Sequence, residues 1–190
     1  MSGGASASTL EGAERVVRIL EGLGIETALI GAVALAVHGY VRATQDVDLA
    51  TSVDLWKDLR RAGDELVRQG FTVELYEPDS EDPLGGVLNV RTPGADLIQV
   101  VNYFNPWRGV ARVGQEAIET ARPVADLALR VVDLPHLIAL KLYAGGPKSS
   151  SDVLELLARH PDEDLGALGT LCTRLGLESE WAGVLKLKGT

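Results

Sequence analysis

Leu29-Ile-Gly-Ala-Val-Ala-Leu-Ala-Val-His-Gly-Tyr-Val-Arg-Ala-Thr-Gln-Asp-Val-Asp-Leu49 runs through an apolar strand, a sharp break, a short helix and a second strand. Gly31 supplies the break, because a residue without a Cβ turns the chain from strand to helix with nothing in the way. The alanine-rich helix expected over Ala32 to His38 is stopped by Gly39. Its first turn presents backbone N–H groups without intrahelical partners, which favours a phosphate near Gly31 and Ala32. Gln45 to Thr51 alternates as a strand does, so Asp46 and Asp48 project from one face while Val47 and Leu49 point into a core. Two carboxylates side by side repel each other unless a cation neutralises them. Hard oxygen donors of this kind suit Mg2+ or Mn2+. A third carboxylate would complete a site for two metal ions on the order of 4 Å apart. Asp96 is the candidate, since it opens the apolar strand Leu97-Ile-Gln-Val-Val101; Glu74, on another predicted strand, is the weaker competitor.

Around this stretch the chain has an ordinary globular balance: 190 residues, 46% hydrophobic and 24% charged. That length holds one substantial domain, or one domain with a small helical appendage. No apolar run is long enough to cross a bilayer. Met1 to Thr9 are small and polar and lack the basic and apolar regions of a signal peptide, so a disordered tail is expected there. Cys172, the single cysteine, cannot form an internal disulfide; its apolar helical setting predicts a buried thiol, and the cysteine usage a cytoplasmic protein. A net charge of −9 argues against a protein that grips long nucleic acid by bulk electrostatics. The charge is uneven: Asn105 to Lys148 carries six Arg or Lys against four acids, and Ser149 to Ala182 two Arg against seven acids. That unevenness allows a local basic surface on an acidic protein, with solvated helix faces the favoured reading.

Outward from the Asp-Val-Asp strand, periodicity predicts helices over Leu10 to Leu23 and Val53 to Gln69, each closed by a glycine, and strands over Thr27 to Ile30 and Phe71 to Tyr76. Glu77 to Pro83 is acidic and proline-flanked, hence an exposed loop. Gly86 to Arg91 and Ala95 to Asn102 form a predicted hairpin around Thr92-Pro93-Gly94. Beyond a boundary between Asn105 and Val132 the pattern turns mostly helical: Val113 to Ala121, a strand at Leu129 to Val132, then Leu134 to Ala144 with Pro135 in its first turn. Gly145-Gly146-Pro147 interrupts, and helices are expected over Ser151 to Ala158, Asp164 to Leu175 and Ser179 to Leu187.

An apolar strand, a Gly-initiated short helix, Asp-apolar-Asp and a later strand carboxylate together resemble the polymerase-beta-type nucleotidyltransferase superfamily. The finer pattern Gly31-Ala-x-Ala34, His38-Gly39, Arg42-x-Thr44-x-Asp46-x-Asp48-Leu49 is similar to the bacterial branch that includes abortive-infection nucleotidyltransferase toxins. In that branch an apolar helix with a lysine precedes a short polar stretch and a helix opened by aspartate. Leu137-Ile-Ala-Leu-Lys141-Leu-Tyr-Ala144 and Lys148-Ser-Ser-Ser-Asp152-Val-Leu-Glu-Leu-Leu157 match that arrangement. The resemblance spans Ile25 to Ala158 and implies an α/β fold, a short mixed sheet flanked by helices, with a catalytic core over 10–110 and a mostly helical region over 111–190 completing the cleft. It implies transfer of a nucleoside monophosphate from a nucleoside triphosphate to an acceptor hydroxyl, with Mg2+ or Mn2+ on Asp46, Asp48 and Asp96. It leaves the acceptor open between tRNA, a protein and a small molecule, and allows for an antitoxin protein partner.

Gly31, Ala32, Arg42, Thr44 and Lys141 are the expected nucleotide contacts. Arg42 reads equally as a triphosphate ligand or as a carboxylate partner that orders its loop, and Thr44 as a loop-ordering hydroxyl. Ala32 stands where the superfamily carries a second Gly or Ser, so it keeps the N–H and lacks the hydroxyl. That keeps an alternative in view, a catalytically degenerate nucleotide-binding or regulatory protein of the same fold; a pure interaction module with surface carboxylates is the third class. His38 is expected to cap helix carbonyls. Lys141, isolated among Leu137, Ile138, Leu140 and Leu142, either snorkels or reaches a phosphate across the cleft. Lys148 and Asp152 read as solvated surface and helix start, and Tyr103 and Trp107 as core aromatics.

Overall fold

Val47, Leu49, Ile98 and Val100 are fully buried on one face of a seven-stranded mixed sheet in the computed structural model, which describes residues 7–92, 96–125 and 127–188. The strands are β1 (Ala28–Ile30), β2 (Val47–Thr51), β3 (Thr72–Tyr76), β4 (Val87–Arg91), β5 (Ile98–Asn102), β8 (Arg122–Val124) and β9 (Leu127–Val131); a separate two-stranded ribbon joins β6 (Phe104–Asn105) to β7 (Gly109–Val110). Across the sheet the order is β3-β4-β5-β2-β1-β9-β8. Strand β2 runs parallel to β5 and antiparallel to β1, and β9 lies parallel to β1.

The helices are α1 (Ala7–Gly22), α2 (Gly31–Val37), α3 (Arg60–Arg68), α4 (Arg112–Thr120), α5 (Leu134–Ala144), α6 (Gly146–Arg159), α7 (Leu165–Arg174) and α8 (Glu178–Lys188). Helices α1 and α3 cover the apolar face of Val47 and Ile98, and a Cβ on Gly12 would sit 3.2 Å from Ile98 Cδ1. Helices α2, α4 and α5 pack on the opposite side, with α6 to α8 stacked outside α5. Alternation therefore puts Asp48 on the α2–α5 face, as period two requires. Capping is explicit at two helix starts. Asp133 accepts from His136 N ahead of α5, and Asp164 accepts from Gly166 N and Ala167 N ahead of α7.

The α/β architecture expected from the sequence is present, with several local differences. Helix α1 begins at Ala7 rather than Leu10, and Thr9 is buried, so the expected tail does not extend through residues 7–9; residues 1–6 lie outside the described residues. The helix expected over Val53 to Gln69 opens with a π-helical turn, Leu55–Leu59, capped by Asp54, before α3 begins. Strand β8 was not legible: Arg-Pro-Val is short and shows no alternation, and proline is tolerated there because β8 is the sheet's edge. Helix α6 starts at Gly146, directly after the left-handed Gly145, instead of at Ser151. Pro93 and Gly94 of the expected turn lie outside the described residues, while β4 and β5 pair antiparallel as a hairpin requires. Among the described residues no helix is long and apolar enough to cross a membrane.

Candidate active site

Asp48 lies on β2 opposite Ile30 of β1, and its carboxyl packs onto the first residue of α2. Gly31 adopts φ +67°, and a Cβ there would stand 1.9 Å from Asp48 Oδ2. Only glycine accepts both the left-handed backbone and that approach, so the strand-to-helix break seen in the sequence is also the floor under a carboxylate. Burial is the largest influence on Asp48 and pushes its carboxyl above the usual carboxylate range, with the charge of Asp46 acting in the same direction. Lys141, Arg42 and Lys148 oppose this by favouring the anion, Lys141 most strongly. Asp46 itself is exposed, one residue before β2.

The cations come from three places. Arg42 sits in the loop between α2 and β2, Lys141 on α5 and Lys148 in the first turn of α6. Arg42 Nε is 3.3 Å from Asp152 Oδ1, and Lys141 Nζ is 2.8 Å from Asp152 Oδ2. Helix α6 holds the same loop at its other end, where Arg159 Nε donates to Gly39 O and the His160 ring bonds His38 O. Thr44 donates to the Asp46 carbonyl at 3.2 Å, the loop-ordering role the sequence suggested, so its hydroxyl is engaged in the protein. His38 does not cap its own helix. Its ring bonds Val132 O at 2.8 Å, tying α2 to the end of β9. A groove of about 430 Å³ opens beside Lys141, between the α5–α6 junction and α8, with Gly145, Gly146, Ser150 and Lys186 on its walls.

Asp96 does not join Asp46 and Asp48. Its Oδ2 accepts from Thr9 Oγ1 at 3.0 Å and its N–H donates to the same hydroxyl, which anchors it to α1 on the apolar side of the sheet. The physical reason is parity: Asp48 is in register with Gln99, and Asp96 is an odd number of residues from it. Glu74 is no substitute, because β4 and β5 separate β3 from β2. Among the described residues no three metal-ligating side chains converge. Asp152 is the functional candidate the sequence reading placed wrongly: it is 3% exposed and central to the cation cluster rather than on solvated surface. The one sequence hint was its position one helical turn before Leu156, on the face that carries Val153, Leu156 and Leu157. Tyr103 is a buried core aromatic as expected, whereas Trp107 is 54% exposed and meets Trp56, itself 48% exposed, edge-on at 6.4 Å.

The mixed α/β sheet followed by a helical C-terminal region has the fold of solved nucleotidyltransferases. Among solved structures, the chain is similar to the antibiotic-resistance factor ANT(2'')-Ia in solution, at 16% identity and TM-score 0.56, over 94% of this chain and 96% of that one. A nucleotidyltransferase-like protein of Paracoccidioides brasiliensis aligns at 20% identity and TM-score 0.51, over 94% of each chain. A nucleotidyltransferase fold from Thermotoga maritima aligns at 12% identity and TM-score 0.53, over 82% of this chain and 96% of that one. At these identities the likeness is one of fold. No protein-family model matches the sequence, and no curated protein does.

Proposed function

We propose that the chain transfers a nucleoside monophosphate from a nucleoside triphosphate to an acceptor hydroxyl at the Asp46–Asp48 pair. The observation that carries this reading is Asp48 held against the bare backbone of Gly31, beside Asp46 and facing Lys141 and Arg42. Such a site juxtaposes paired anions with a cationic wall, as a metal-bound triphosphate requires.

The donor set fits a divalent cation. Two hard carboxylates, one of them penalised by burial and by its neighbour's charge, are relieved by Mg2+ or Mn2+. Mg2+ commonly takes one or two protein carboxylates and completes its shell with water and substrate phosphates, so Asp46 and Asp48 suffice without Asp96. When bound, the ion supplies charge neutralisation at the phosphates and a more acidic acceptor hydroxyl. Arg42, Lys141 and Lys148 supply positive charge toward the same phosphates, and the start of α2 at Gly31 and Ala32 lies against Asp48. The acceptor oxygen bonds to the α-phosphorus as the bond from that phosphorus to the pyrophosphate oxygen breaks; the hydroxyl proton passes to solvent and pyrophosphate leaves.

The acceptor is one of tRNA, a protein or a small hydroxylated molecule, each to be tested with labelled triphosphate. Growth arrest on expression, relieved by an antitoxin protein, is the outcome that the toxin reading requires. One observation favours a second reading, a nucleotide-binding protein without turnover: Gln99, not an acid, stands beside Asp48.

Thermal unfolding with a triphosphate analogue tests the site. A ligand specific for the folded state adds about 2.7 kcal/mol at a hundredfold excess over its Kd. The melting temperature should rise with analogue in Mg2+ and not in chelator, and Asp48→Asn should remove the rise while leaving the apo protein folded. An equal rise in both proteins excludes binding at this pair. Pyrophosphate release with ATP then separates turnover from the second reading.

A further inference from the structure

Asp152 is the only Asp or Glu buried among the described residues. A carboxylate so removed from water is costly to keep charged unless cations surround it. Here two do, one to each oxygen: Arg42 Nε at 3.3 Å from Oδ1 and Lys141 Nζ at 2.8 Å from Oδ2. The dependence also runs the other way. Arg42 and Lys141 come from different elements, are 21% and 13% exposed, and would repel each other without an anion between them. The charges of both also favour the anionic form of Asp48.

We propose that Asp152 is a positioning residue, fixing Lys141 and Arg42 as a preset cationic pair directed at the phosphates of a nucleotide held at Asp46 and Asp48. The inference rests on the nucleotidyl-transfer reading above. Two features support positioning over direct contact. Asp152 is too buried to reach a ligand, and it belongs to α6, the helix that also grips the Arg42 loop through Arg159 and His160. Asp152 meets one nitrogen of each cation, and its two oxygens cannot take up all the N–H groups of a guanidinium and an ammonium, so donors of both cations remain for an anion. Long cationic side chains immobilised in advance lose less freedom when the ligand arrives. Asp152 thus sets nucleotide affinity through two other side chains.

The test is calorimetric titration of a non-hydrolysable ATP analogue in Mg2+ into the full chain and its variants. Asp152→Asn should weaken binding about tenfold or more in the otherwise native protein, and by about threefold or less when Lys141 is already alanine. Asp152→Glu, which keeps the charge, should recover most of the affinity. Equal loss in both backgrounds, or no loss in the first, overturns the proposal. Circular dichroism checks that Asp152→Asn folds. If it does not, Asp152→Ala combined with Lys141→Ala removes both partners of the buried pair and is compared with Lys141→Ala alone: affinities within about threefold support positioning, and a further loss overturns it. A native protein that does not bind the analogue removes the nucleotidyl-transfer reading and this inference with it. Binding abolished by Asp48→Asn and untouched by Asp152→Asn removes this inference alone.

Discussion

Replacing Gly31 by alanine tests the tightest contact in the site. The residue sits at φ +67°, where an L side chain costs about 1–2 kcal/mol of backbone strain. The new Cβ would also meet Asp48 Oδ2 at 1.9 Å and Cγ at 2.7 Å, distances no real contact sustains. Relief requires the Asp48 carboxyl to swing away or the α2 start to lift, an overpacking cost of about 1–3 kcal/mol. The sum is about 2–5 kcal/mol, or roughly 5–15 °C of melting temperature for a chain of this size. The two contributions separate in an Asp48→Ala background. There the carboxyl is gone, only the backbone strain remains, and Gly31→Ala should cost about 1–2 kcal/mol. Urea unfolding of the four proteins in the cycle measures the coupling. Additive effects would refute the idea that Gly31 is glycine because Asp48 needs the space.

Asp96→Ala should cost about 1–2 kcal/mol through the lost bond to Thr9 and leave Mg2+-dependent nucleotide affinity within about twofold; a large affinity loss would return Asp96 to the metal site. His136 gives a pH dependence. Burial alone would depress its pKa, but Asp133 at 2.7 Å and Glu116 at 3.6 Å outweigh this and raise it above 6.5. Glu116 is lowered, chiefly by its bond from Arg174, and Asp133 is lowered because bonds from His136 outweigh its burial. The raised histidine contributes stability in full below its unfolded pKa and loses it as pH rises through the folded value. The lowered acids contribute above theirs and lose it as pH falls. The cluster therefore stabilises most between roughly pH 4.5 and 6.5. Urea midpoints of the native protein should decline above that window, and His136→Gln should flatten the decline; parallel curves would count against the cluster.

Local pattern sufficed for what local chemistry decides. Alternation around Asp46-Val47-Asp48 and the glycine at position 31 located the strand, the break and the paired carboxylates, because side-chain period and left-handed backbone are properties of a few adjacent residues. Asp96 and Asp152 were misread for the opposite reason. Which face Asp96 takes depends on the register of β5 against β2, and that pairing joins segments far apart in the chain, so it is invisible in sequence. Asp152 has the look of an ordinary polar residue near a helix start; its burial follows from α5 and the Arg42 loop closing over it, neither of which is adjacent in the chain. Strand β8 hid behind a proline that only an edge position permits.

Strand β9 carries a consequence for synthesis. It zips parallel onto β1, and α5 and α6 follow it, so the surface that the Asp46–Asp48 strand faces is built from residues far downstream. During translation both aspartates leave the ribosome long before Lys141 and Asp152, with β1 still an open edge. A nascent chain therefore lacks the Arg42–Asp152–Lys141 cluster until its last third has emerged, and a ribosome that stalls midway releases a fragment exposing a strand edge.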